Sequence, residues 1–302
     1  MDQLAAIRAF VRVVESGNFT RAAQLLSMPK PTVSKQVQLL EQHLRTRLLN
    51  RTTRRVTVTA DGAAYYERVV RILADMEELD GSMVPAQASP KGRLRVDVSA
   101  SIAMLCIIPS LRDFHARYPD IQLDVGTTDR PVDLTAESID CVIRAGNVSD
   151  QSLVARRLGE MQFITCAAPS YLEQYGEPRH PKDFEETHPV VGYFSSTSPR
   201  TMPFNFNRDG ERIDVRGRYI TAANESNVYM AAGLAGLGII MAPTFMVEPH
   251  LESGALRRVL TDWTSDPMPL YIAYLPHRHL SNKLRVFVEW VVEQFESCSA
   301  QA

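Results

Sequence analysis

Apolar residues recur at intervals of three and four in the N-terminal part of the chain, and this spacing predicts three short helices. The first is expected over 4–15, with one apolar stripe formed by Leu4, Ile7, Val11 and Val14. Thr20 follows a Ser-Gly-Asn break and is expected to cap the second helix. The stretch from Ser27 to Lys30 predicts a turn, and Pro31 suits the first position of the third helix, where its missing N–H costs nothing.

The third predicted helix has one apolar and one polar face. Its inward face consists of Val33, Val37, Leu40 and Leu44. Its outward face consists of Thr32, Ser34, Lys35, Gln36 and Gln38, which can donate hydrogen bonds to phosphates and base edges. Two short helices of this kind at a steep angle are typical of a helix-turn-helix, whose second helix enters a major groove. The alternative is a helical hairpin with a solvated polar face.

The segment LLNRTTRRVTVTADG predicts a small hairpin next to these helices. Alternating valine and threonine over 56–59 indicates one strand, and Leu48 and Leu49 can form its partner. The expected tip, Thr52 and Thr53, is flanked by Arg51, Arg54 and Arg55. Such a hairpin beside a helix-turn-helix is typical of a wing, whose arginines reach a phosphate or a narrow minor groove. The alternative is a surface hairpin that arginine keeps soluble.

A long helix is expected from a cap at Thr59 to about Met83. Its apolar residues recur at spacings of three and four, a narrow seam suited to a partner helix: Tyr66, Val69, Leu73 and Met76. We favour a dimer seam, and the alternative is packing on the helix's own domain. A dimer would place two recognition helices about one DNA turn apart on a palindromic site. The following VPAQASPKG, 84–92, has the composition of a linker.

The pattern changes after the linker, where strands alternate with helices. Strands are expected over 93–99, 121–125 and 140–144, and helices over 102–117 and 131–138. The alternation recurs from Met161 and around Gly233–Pro243, and a last helix is expected over 282–298. This order predicts parallel sheets covered by helices, and about 210 residues of it favour two α/β lobes. Ligands bind such sheets beyond the carboxyl ends of the strands.

The charge is unevenly distributed, although the net charge of the 302 residues is only -2. Residues 1–60 carry ten Lys and Arg against three Asp and Glu, a net +7, while the remainder carries 23 against 32, a net -9. A basic head on an acidic body suggests that one end binds nucleic acid. The apolar pattern of the N-terminus is interrupted by Arg8, Arg12 and Glu15, unlike a secretory signal. The sequence also contains no long apolar run. We therefore expect a cytoplasmic protein with no membrane partner.

Neither the cysteines nor the short motifs indicate a metal, a cofactor or catalysis. Cys106, Cys141, Cys166 and Cys298 are scattered and are expected to be reduced structural thiols, with a redox switch as the alternative. No GxSxG, HExxH or P-loop sequence occurs, and GLAGLG over 233–238 has the wrong glycine spacing for a dinucleotide loop. His277 and His279 lie in an expected loop with no third ligand at useful spacing. We therefore expect no enzyme and no cofactor.

Two further classes of protein compete with a DNA-binding regulator. An exported solute-binding protein with a dimerisation head would leave the basic head and the lack of a signal unexplained. An architectural or effector-independent DNA-binding protein would leave the two lobes without a role.

The order of these elements resembles the LysR-type transcriptional regulators over essentially the whole chain, most specifically in FTRAAQLLSMPKPTVSKQVQLLEQHLRTRLLNRTTRRVTVTADG. The resemblance implies an α+β multi-domain chain: a winged helix-turn-helix at 1–59, a linker and dimerisation helix at 60–83, a hinge at 84–92 and an effector-binding domain at 93–302. That domain would resemble type 2 periplasmic binding proteins, with lobe I at about 93–165 and 267–302 and lobe II at about 166–266.

The resemblance also implies partners and DNA contacts. The DNA-contacting residues would be Lys30, Pro31, Thr32, Ser34 and Lys35, with Arg51 and Arg54 from the wing. Lys30 departs from the family, where many members carry Gln or Ser, and it would contact either a guanine edge or a phosphate. The expected partners are a palindromic double-stranded promoter site, a small effector between the lobes, and further copies of the chain as a homodimer or homotetramer. RNA polymerase is a further candidate partner.

The predicted strand ends supply candidate effector contacts. Ser99, Ala100 and Ser101 follow the first strand and open its helix, where N–H groups and hydroxyls would face an anion. The other candidates are Thr127 and Thr128, which match the family's hydroxyl contact, Arg144 at the third strand end, and Asn224, which is expected to cap both a lobe II helix and the ligand. Because an arginine binds carboxylates in a bidentate manner, we expect a small organic anion, a carboxylate. Alternatively, Arg144 makes a surface ion pair, and the two serines only cap their helix.

Overall fold

The computed structural model describes residues 2–51, 56–82, 89–146, 150, 152–195, 198, 200–276 and 280–299. The chain divides into two units, Met1–Ala88 and Ser89–Ala302. Within the described residues no helix is long and apolar enough to cross a membrane.

The described residues of the first unit form four helices and a two-stranded hairpin. The elements are α1 (Gln3–Ser16), α2 (Phe19–Leu25), α3 (Lys30–Leu44), β1 (Leu49–Arg51), β2 (Val56–Val58) and α4 (Ala60–Ser82). Strands β1 and β2 are antiparallel, with Leu49 opposite Val58. Helix α1 packs against α2, α3 and α4. This arrangement is a winged helix-turn-helix, as the sequence predicted.

The predicted apolar face of α3 is confirmed. Val33, Val37 and Leu40 are fully buried in one cluster with α1, and Leu44 packs at its edge. Two details of the helix starts were predicted wrongly. Asn18, not Thr20, caps α2, because its side chain accepts the N–H of Thr20. Pro29 precedes α3 and Lys30 is its first residue, so Pro31 is second.

Most of the apolar seam predicted on the long helix, α4, packs against the core of the first unit. Val69 and Leu73 are buried in the cluster that contains α1, and Tyr66 contacts Phe10 at its edge with ring centroids 6.5 Å apart. Packing within the unit therefore accounts for these three residues, and a dimer contact through α4 stays a prediction. Met76 is still 37% exposed. The predicted cap is confirmed, since the Thr59 hydroxyl accepts the N–H of Gly62 at 2.9 Å.

The second unit alternates strands and helices. Its first part contains β3 (Gly92–Val98), α5 (Ala100–Ile102), a π-helical turn (Ala103–Ile107), a 3-10 turn (Ile108–Ser110), α6 (Leu111–Arg117), β4 (Ile121–Thr127), α7 (Leu134–Glu137), β5 (Cys141–Ala145) and β6 (Val154–Met161). Its middle part contains β7 (Phe163–Ala167), α8 (Pro169–Tyr175), α9 (Asp183–Glu186), β8 (Val190–Tyr193), β9 (Phe204–Arg208), β10 (Glu211–Val215), β11 (Tyr219–Ala223), α10 (Ser226–Leu234), β12 (Ile240–Pro243), α11 (Thr244–Glu252) and β13 (Arg257–Arg258). Strand β14 (Met268–Tyr274) and helix α12 (Asn282–Ser299) complete the unit.

These elements form two lobes. In lobe I the strand order is β4-β3-β5-β14-β6, with β3 parallel to both of its neighbours and β14 antiparallel to β5 and β6. Its core places Phe114 of α6 against Phe287 and Trp290 of α12. In lobe II, β7 pairs with β12 and β13, β8 pairs with β11, and β9 and β10 form an antiparallel hairpin.

The predicted α/β alternation is confirmed in lobe I and incomplete in lobe II. The helix expected over 102–117 is a succession of α, π and 3-10 turns before α6, and the helix expected over 131–138 is a single turn, α7. The antiparallel hairpin of β9 and β10 was not predicted. Its strands mix buried phenylalanines with asparagines and arginines, so they lack the continuous apolar run that marks a buried parallel strand.

Candidate DNA interface and effector cleft

The polar face of α3 is available to a partner. Lys30, Pro31, Thr32 and Lys35 are exposed, and Ser34 is half-buried. No acidic residue lies in the first turn of this helix. The buried valines and leucine on the opposite side hold this face outward, and such a face can meet phosphates and base edges.

The wing arginines can be placed only in part. Arg51 ends β1, and only its backbone is described. Arg54 lies outside the described residues, as do Thr52, Thr53 and Arg55, which the sequence placed at and beside the tip of the wing.

The start of the wing is positioned by a carboxylate that the sequence analysis did not single out. One oxygen of Glu41, Oε1, accepts the N–H groups of both Leu48 and Leu49, at 2.9 and 3.0 Å. Glu41 therefore links the end of α3 to β1. The signal was weak in the sequence, because a glutamate near a helix end most often faces solvent.

The register of lobe I brings three predicted strand ends together. Val98 pairs with Thr127 on β4 and with Ile143 on β5, and all three strands run in parallel. Ser99, Thr128 and Arg144 therefore lie at the same edge of the sheet. This is the carboxyl edge, where open α/β sheets bind ligands.

The serines after β3 have different environments. Ser99 precedes α5 and makes no side-chain capping bond, while Ala100 is half-buried. Ser101 is buried, and its hydroxyl accepts a hydrogen bond from the Ser226 hydroxyl of lobe II at 3.0 Å. The alternative that these serines cap their helix therefore does not hold for Ser99. The contact from Ser101 to α10 brings lobe II against this edge.

The two predicted threonines lie at the carboxyl edge of the sheet, but Thr127 is the last residue of β4 and only Thr128 follows the strand. Thr127 is exposed, Thr128 is half-buried, and the Thr128 hydroxyl accepts the N–H of Arg130 at 3.2 Å. Both hydroxyls retain a proton to donate, since neither donates a hydrogen bond elsewhere among the described contacts.

The guanidinium of Arg144 is already engaged inside lobe I. It forms an ion pair with the carboxylate of Asp97 and donates to the carbonyl oxygens of Asp97 and Ile143, at 3.2 and 3.0 Å. Asp97 is buried, and Gly126 opposite it makes room for the carboxylate, since a Cβ there would lie 2.8 Å from Asp97 Oδ2. Parallel pairing puts these three residues on one face of the sheet. A ligand carboxylate would therefore have to share or displace Asp97.

Lobe II faces the strand ends with the beginning of α10. Glu225 caps this helix, and its carboxylate accepts the N–H groups of Asn227 and Val228 at 3.0 and 2.9 Å. Asn224, which the sequence analysis placed as the cap, is exposed and lies one residue earlier. The capping role predicted for Asn224 was therefore wrong, because Glu225 occupies the cap position directly before Ser226.

The sequence analysis also missed Asp129, which crosses the cleft. Its Oδ2 accepts the N–H of Ser226 at 3.2 Å and the hydroxyl of Tyr193 at 3.4 Å, both in lobe II. Burial raises the pKa of Asp129, and the charge of Glu225 raises it further, while Ser226, Arg144 and Tyr193 lower it. Burial beside Asp129 also raises the pKa of Tyr193. The position of Asp129, two residues past β4, was the only sequence signal for a role in the cleft. No local pattern shows which lobe a side chain will reach.

A cavity of about 310 Å³ lies in lobe I against β3, β4 and α7. It is lined by Arg95, Val96, Asp97, Asp124, Val125, Gly126, Glu137 and Ile139. None of the predicted effector contacts lines it, although Asp97, the ion-pair partner of Arg144, does.

Comparison with known proteins agrees with this architecture. Residues 4–63 match the model of the bacterial regulatory helix-turn-helix protein of the lysR family, and residues 87–296 match the LysR substrate binding domain. The chain belongs to the LysR family of transcriptional regulators. It is thus a DNA-binding regulator with an effector-binding domain, and it is not an enzyme.

Individual relatives cover almost the whole chain. A transcriptional repressor of Pseudomonas aeruginosa is 39% identical over 295 residues, 98% of this chain and 93% of that protein. The regulator YhjC of Escherichia coli K12 is 37% identical over 292 residues, 96% of this chain and 97% of that one. Among solved structures, CrgA of Neisseria meningitidis is 31% identical with a TM-score of 0.61, covering 96% of this chain and 98% of that chain.

Proposed function

We propose that this regulator binds an interrupted palindromic promoter site through α3 and the wing, as a homodimer or homotetramer in the cytoplasm. The polar face of α3 is the observation that carries the DNA part of the proposal. Lys30 and Lys35 are exposed at one end of a helix whose other side is fully buried. Lysines so placed supply phosphate contacts, while Thr32 and Ser34 reach base edges. Arg51 and Arg54 extend the same contacts to the wing.

Sequencing of genomic fragments captured by the purified protein at near-physiological salt tests this proposal. A few strong sites that share an interrupted dyad are the expected result. Replacing Ser34 and Lys35 together by alanine should abolish or relax this selectivity and leave effector binding unchanged. The matched control replaces Gln42 and His43, which are exposed at the other end of α3. Diffuse capture that fades with salt would support the architectural alternative, and unchanged selectivity of the double variant would refute the placement of the recognition helix.

We propose that the effector is a small organic anion, a carboxylate, held between the lobes. The convergence of three parallel strand ends with the start of α10 supports this site. Ser99, Ala100 and Ser101 contribute hydroxyls and N–H groups, and Thr127 and Thr128 contribute hydroxyls on the neighbouring strand. Arg144 would bind the carboxylate of the effector by sharing or replacing its ion pair with Asp97. Asn224 lies exposed on the lobe II side.

Thermal-shift and calorimetric screening of carboxylic acids tests the cleft. We expect binding to wild type, weaker binding to Thr128→Val, and weaker binding to Arg144→Ala. Arg212→Ala is the control for Arg144, because Arg212 also pairs with an aspartate but lies on β10 in lobe II. If acids never bind, or bind wild type and Arg144→Ala equally well, the anionic effector is refuted.

The effector can change DNA binding only if it binds two arrangements of the protein unequally. Closure of the lobes around the effector would shift the arrangement of the dimers within a tetramer. DNA bending and contact with RNA polymerase would change with that arrangement.

A further inference from the structure

The carboxylate of Asp129 belongs to lobe I but binds donors of lobe II. Its Oδ2 accepts the first N–H of α10, from Ser226 at 3.2 Å, and the hydroxyl of Tyr193 at 3.4 Å. The first N–H groups of a helix have no partners within the helix and are therefore the donors that an anion seeks. In this chain a carboxylate of the protein already binds the first of them.

The next two N–H groups of α10 are bound as well. Glu225 accepts the N–H groups of Asn227 and Val228, and one of its oxygens also accepts the side-chain amide of Asn227 at 3.0 Å. Two protein carboxylates therefore complete the start of α10. Ligand anions would meet both their charge and N–H groups of Ser226, Asn227 and Val228 that are already bound.

The second oxygen of Asp129, Oδ1, further disfavours a ligand anion at this end of α10. It is buried and has no hydrogen-bond donor within reach among the described residues. Arg144, the cation that acts on Asp129, is paired with Asp97. A buried carboxylate oxygen without a donor repels a second carboxylate and favours a neutral donor group.

We infer that Asp129 is a specificity-determining residue of the cleft, which admits effectors with one acidic group and rejects those with a second acidic group at the α10 end. The inference rests on the proposed function, because the single acidic group would bind at Ser99–Ser101 and the threonines. The other end of the effector would be uncharged and would offer a hydroxyl or an N–H to Asp129.

Matched monocarboxylic and dicarboxylic acids test the inference on the full chain. The probes are hexanoate against adipate and benzoate against terephthalate, each titrated into wild type and Asp129→Asn by calorimetry. Asparagine is nearly the same size and can still accept the N–H of Ser226, so the fold is retained. Asp120→Asn is the control, since Asp120 is exposed at the opposite end of β4 and carries the same charge. Asp129→Ser serves as a second variant.

We expect wild type and Asp120→Asn to bind each monocarboxylate at least about tenfold more tightly than its dicarboxylate, because like charges in a partly buried site repel strongly. In Asp129→Asn and Asp129→Ser this preference should shrink by about tenfold. The inference is overturned if wild type binds the dicarboxylates equally well, or if the preference survives removal of the Asp129 charge. If none of the four acids binds any of the proteins, the anionic effector itself is wrong and the inference falls with it.

Discussion

His188 shows how burial sets the charge of a single residue. It is 7% exposed in lobe II, and its Nδ1 lies 3.3 Å from the hydroxyl of Tyr171. Burial lowers the pKa of His188, and the nearby Asp183 offsets part of that shift. The imidazole is therefore held neutral at physiological pH, although histidine is the side chain that most often changes charge there.

This lowered pKa makes the stability of the protein depend on pH. In the unfolded chain His188 takes up a proton near pH 6.5, whereas in the folded chain it does so only at a lower pH. The free energy of unfolding should therefore fall as the pH drops below about 6.5. The slope from this one group is at most about 1.4 kcal/mol per pH unit. Urea unfolding at several pH values should show a smaller slope for His188→Gln. His115→Gln, at an exposed position, is the control, and equal slopes in both variants would refute a buried neutral His188.

The packing between neighbouring elements depends on a glycine at the start of α4. A Cβ at Gly62 would lie 2.0 Å from the carbonyl oxygen of Leu48 and 2.9 Å from a methyl group of Val58. The first turn of α4 therefore lies directly on the wing strands, and only glycine allows that approach.

Gly62→Ala should accordingly destabilise the DNA-binding unit, although alanine is the better helix former by about 1 kcal/mol. The carbonyl of Leu48 cannot move away without losing the N–H of Thr59, which it accepts at 3.0 Å, so we expect a net loss of about 2 kcal/mol, within the range for overpacking. Urea unfolding of the purified variant measures this loss. Glu67→Ala, exposed on the same helix, should change stability little. A stabilised Gly62→Ala would contradict the close contact.

Glu41 offers a second test of how elements are joined. Glu41→Ala would leave two N–H groups at the start of β1 without their acceptor, at a cost of about 1–3 kcal/mol. Glu41→Gln keeps an acceptor oxygen and should lose less. Stability measured by unfolding, together with DNA affinity, separates the two variants. Equal losses would mean that the charge, not the two hydrogen bonds, positions the wing.

The charge asymmetry of the whole molecule bears on DNA binding. The first sixty residues carry a net charge of +7, whereas the rest of the chain carries a net charge of -9. Much of the DNA affinity should then come from phosphate contacts, which release counterions and weaken with salt.

The affinity for a captured site should therefore fall steeply with salt concentration. Removing one phosphate contact by Lys35→Gln should reduce the slope of log affinity against log salt by about one. Fluorescence anisotropy with a labelled duplex measures both slopes. Lys91→Gln, exposed just before β3, is the matched control. If Lys35→Gln left the slope unchanged and altered only the choice of site, Lys35 would be a base contact instead.

Assembly is also a property of the whole molecule. With Val69 and Leu73 buried inside the first unit, α4 still exposes Ile72 to 50% and Met76 to 37%. Ile220, on β11 of the second unit, is 77% exposed. Apolar side chains this exposed favour contact with another copy of the chain.

We expect Ile72→Asp and Ile220→Asp each to lower the mass of the assembly measured by light scattering. Both positions are exposed, so the monomer fold should tolerate the change. Arg216→Asp, in an exposed loop, is the control. Thr221→Asp would be less suitable, because Thr221 is half-buried beside Ile220 on β11. If both substitutions left the mass unchanged, other surfaces would have to hold the assembly together.

Periodicity alone was sufficient for the helix-turn-helix, because a helix turns every 3.6 residues and its buried face is a local property of the sequence. Val33, Val37 and Leu40 could thus be placed inward, with Lys35 outward. The same reasoning succeeded for the strand ends of lobe I. It could not show that Tyr66, Val69 and Leu73 face their own domain, since an apolar seam has the same pattern whether its partner lies in the same chain or in another.

The pairing of the charged side chains in the cleft depends on contacts between residues that are distant in the chain. Arg144 meets Asp97, 47 residues earlier, only through the register of β3 and β5. Asp129 meets Ser226, 97 residues later, only because the two lobes close on each other. Local pattern therefore identified the DNA-binding head and the edge of the sheet where the cleft lies. Which charges in the cleft are paired was decided by strand register and by the packing of the lobes, which no short stretch of sequence encodes.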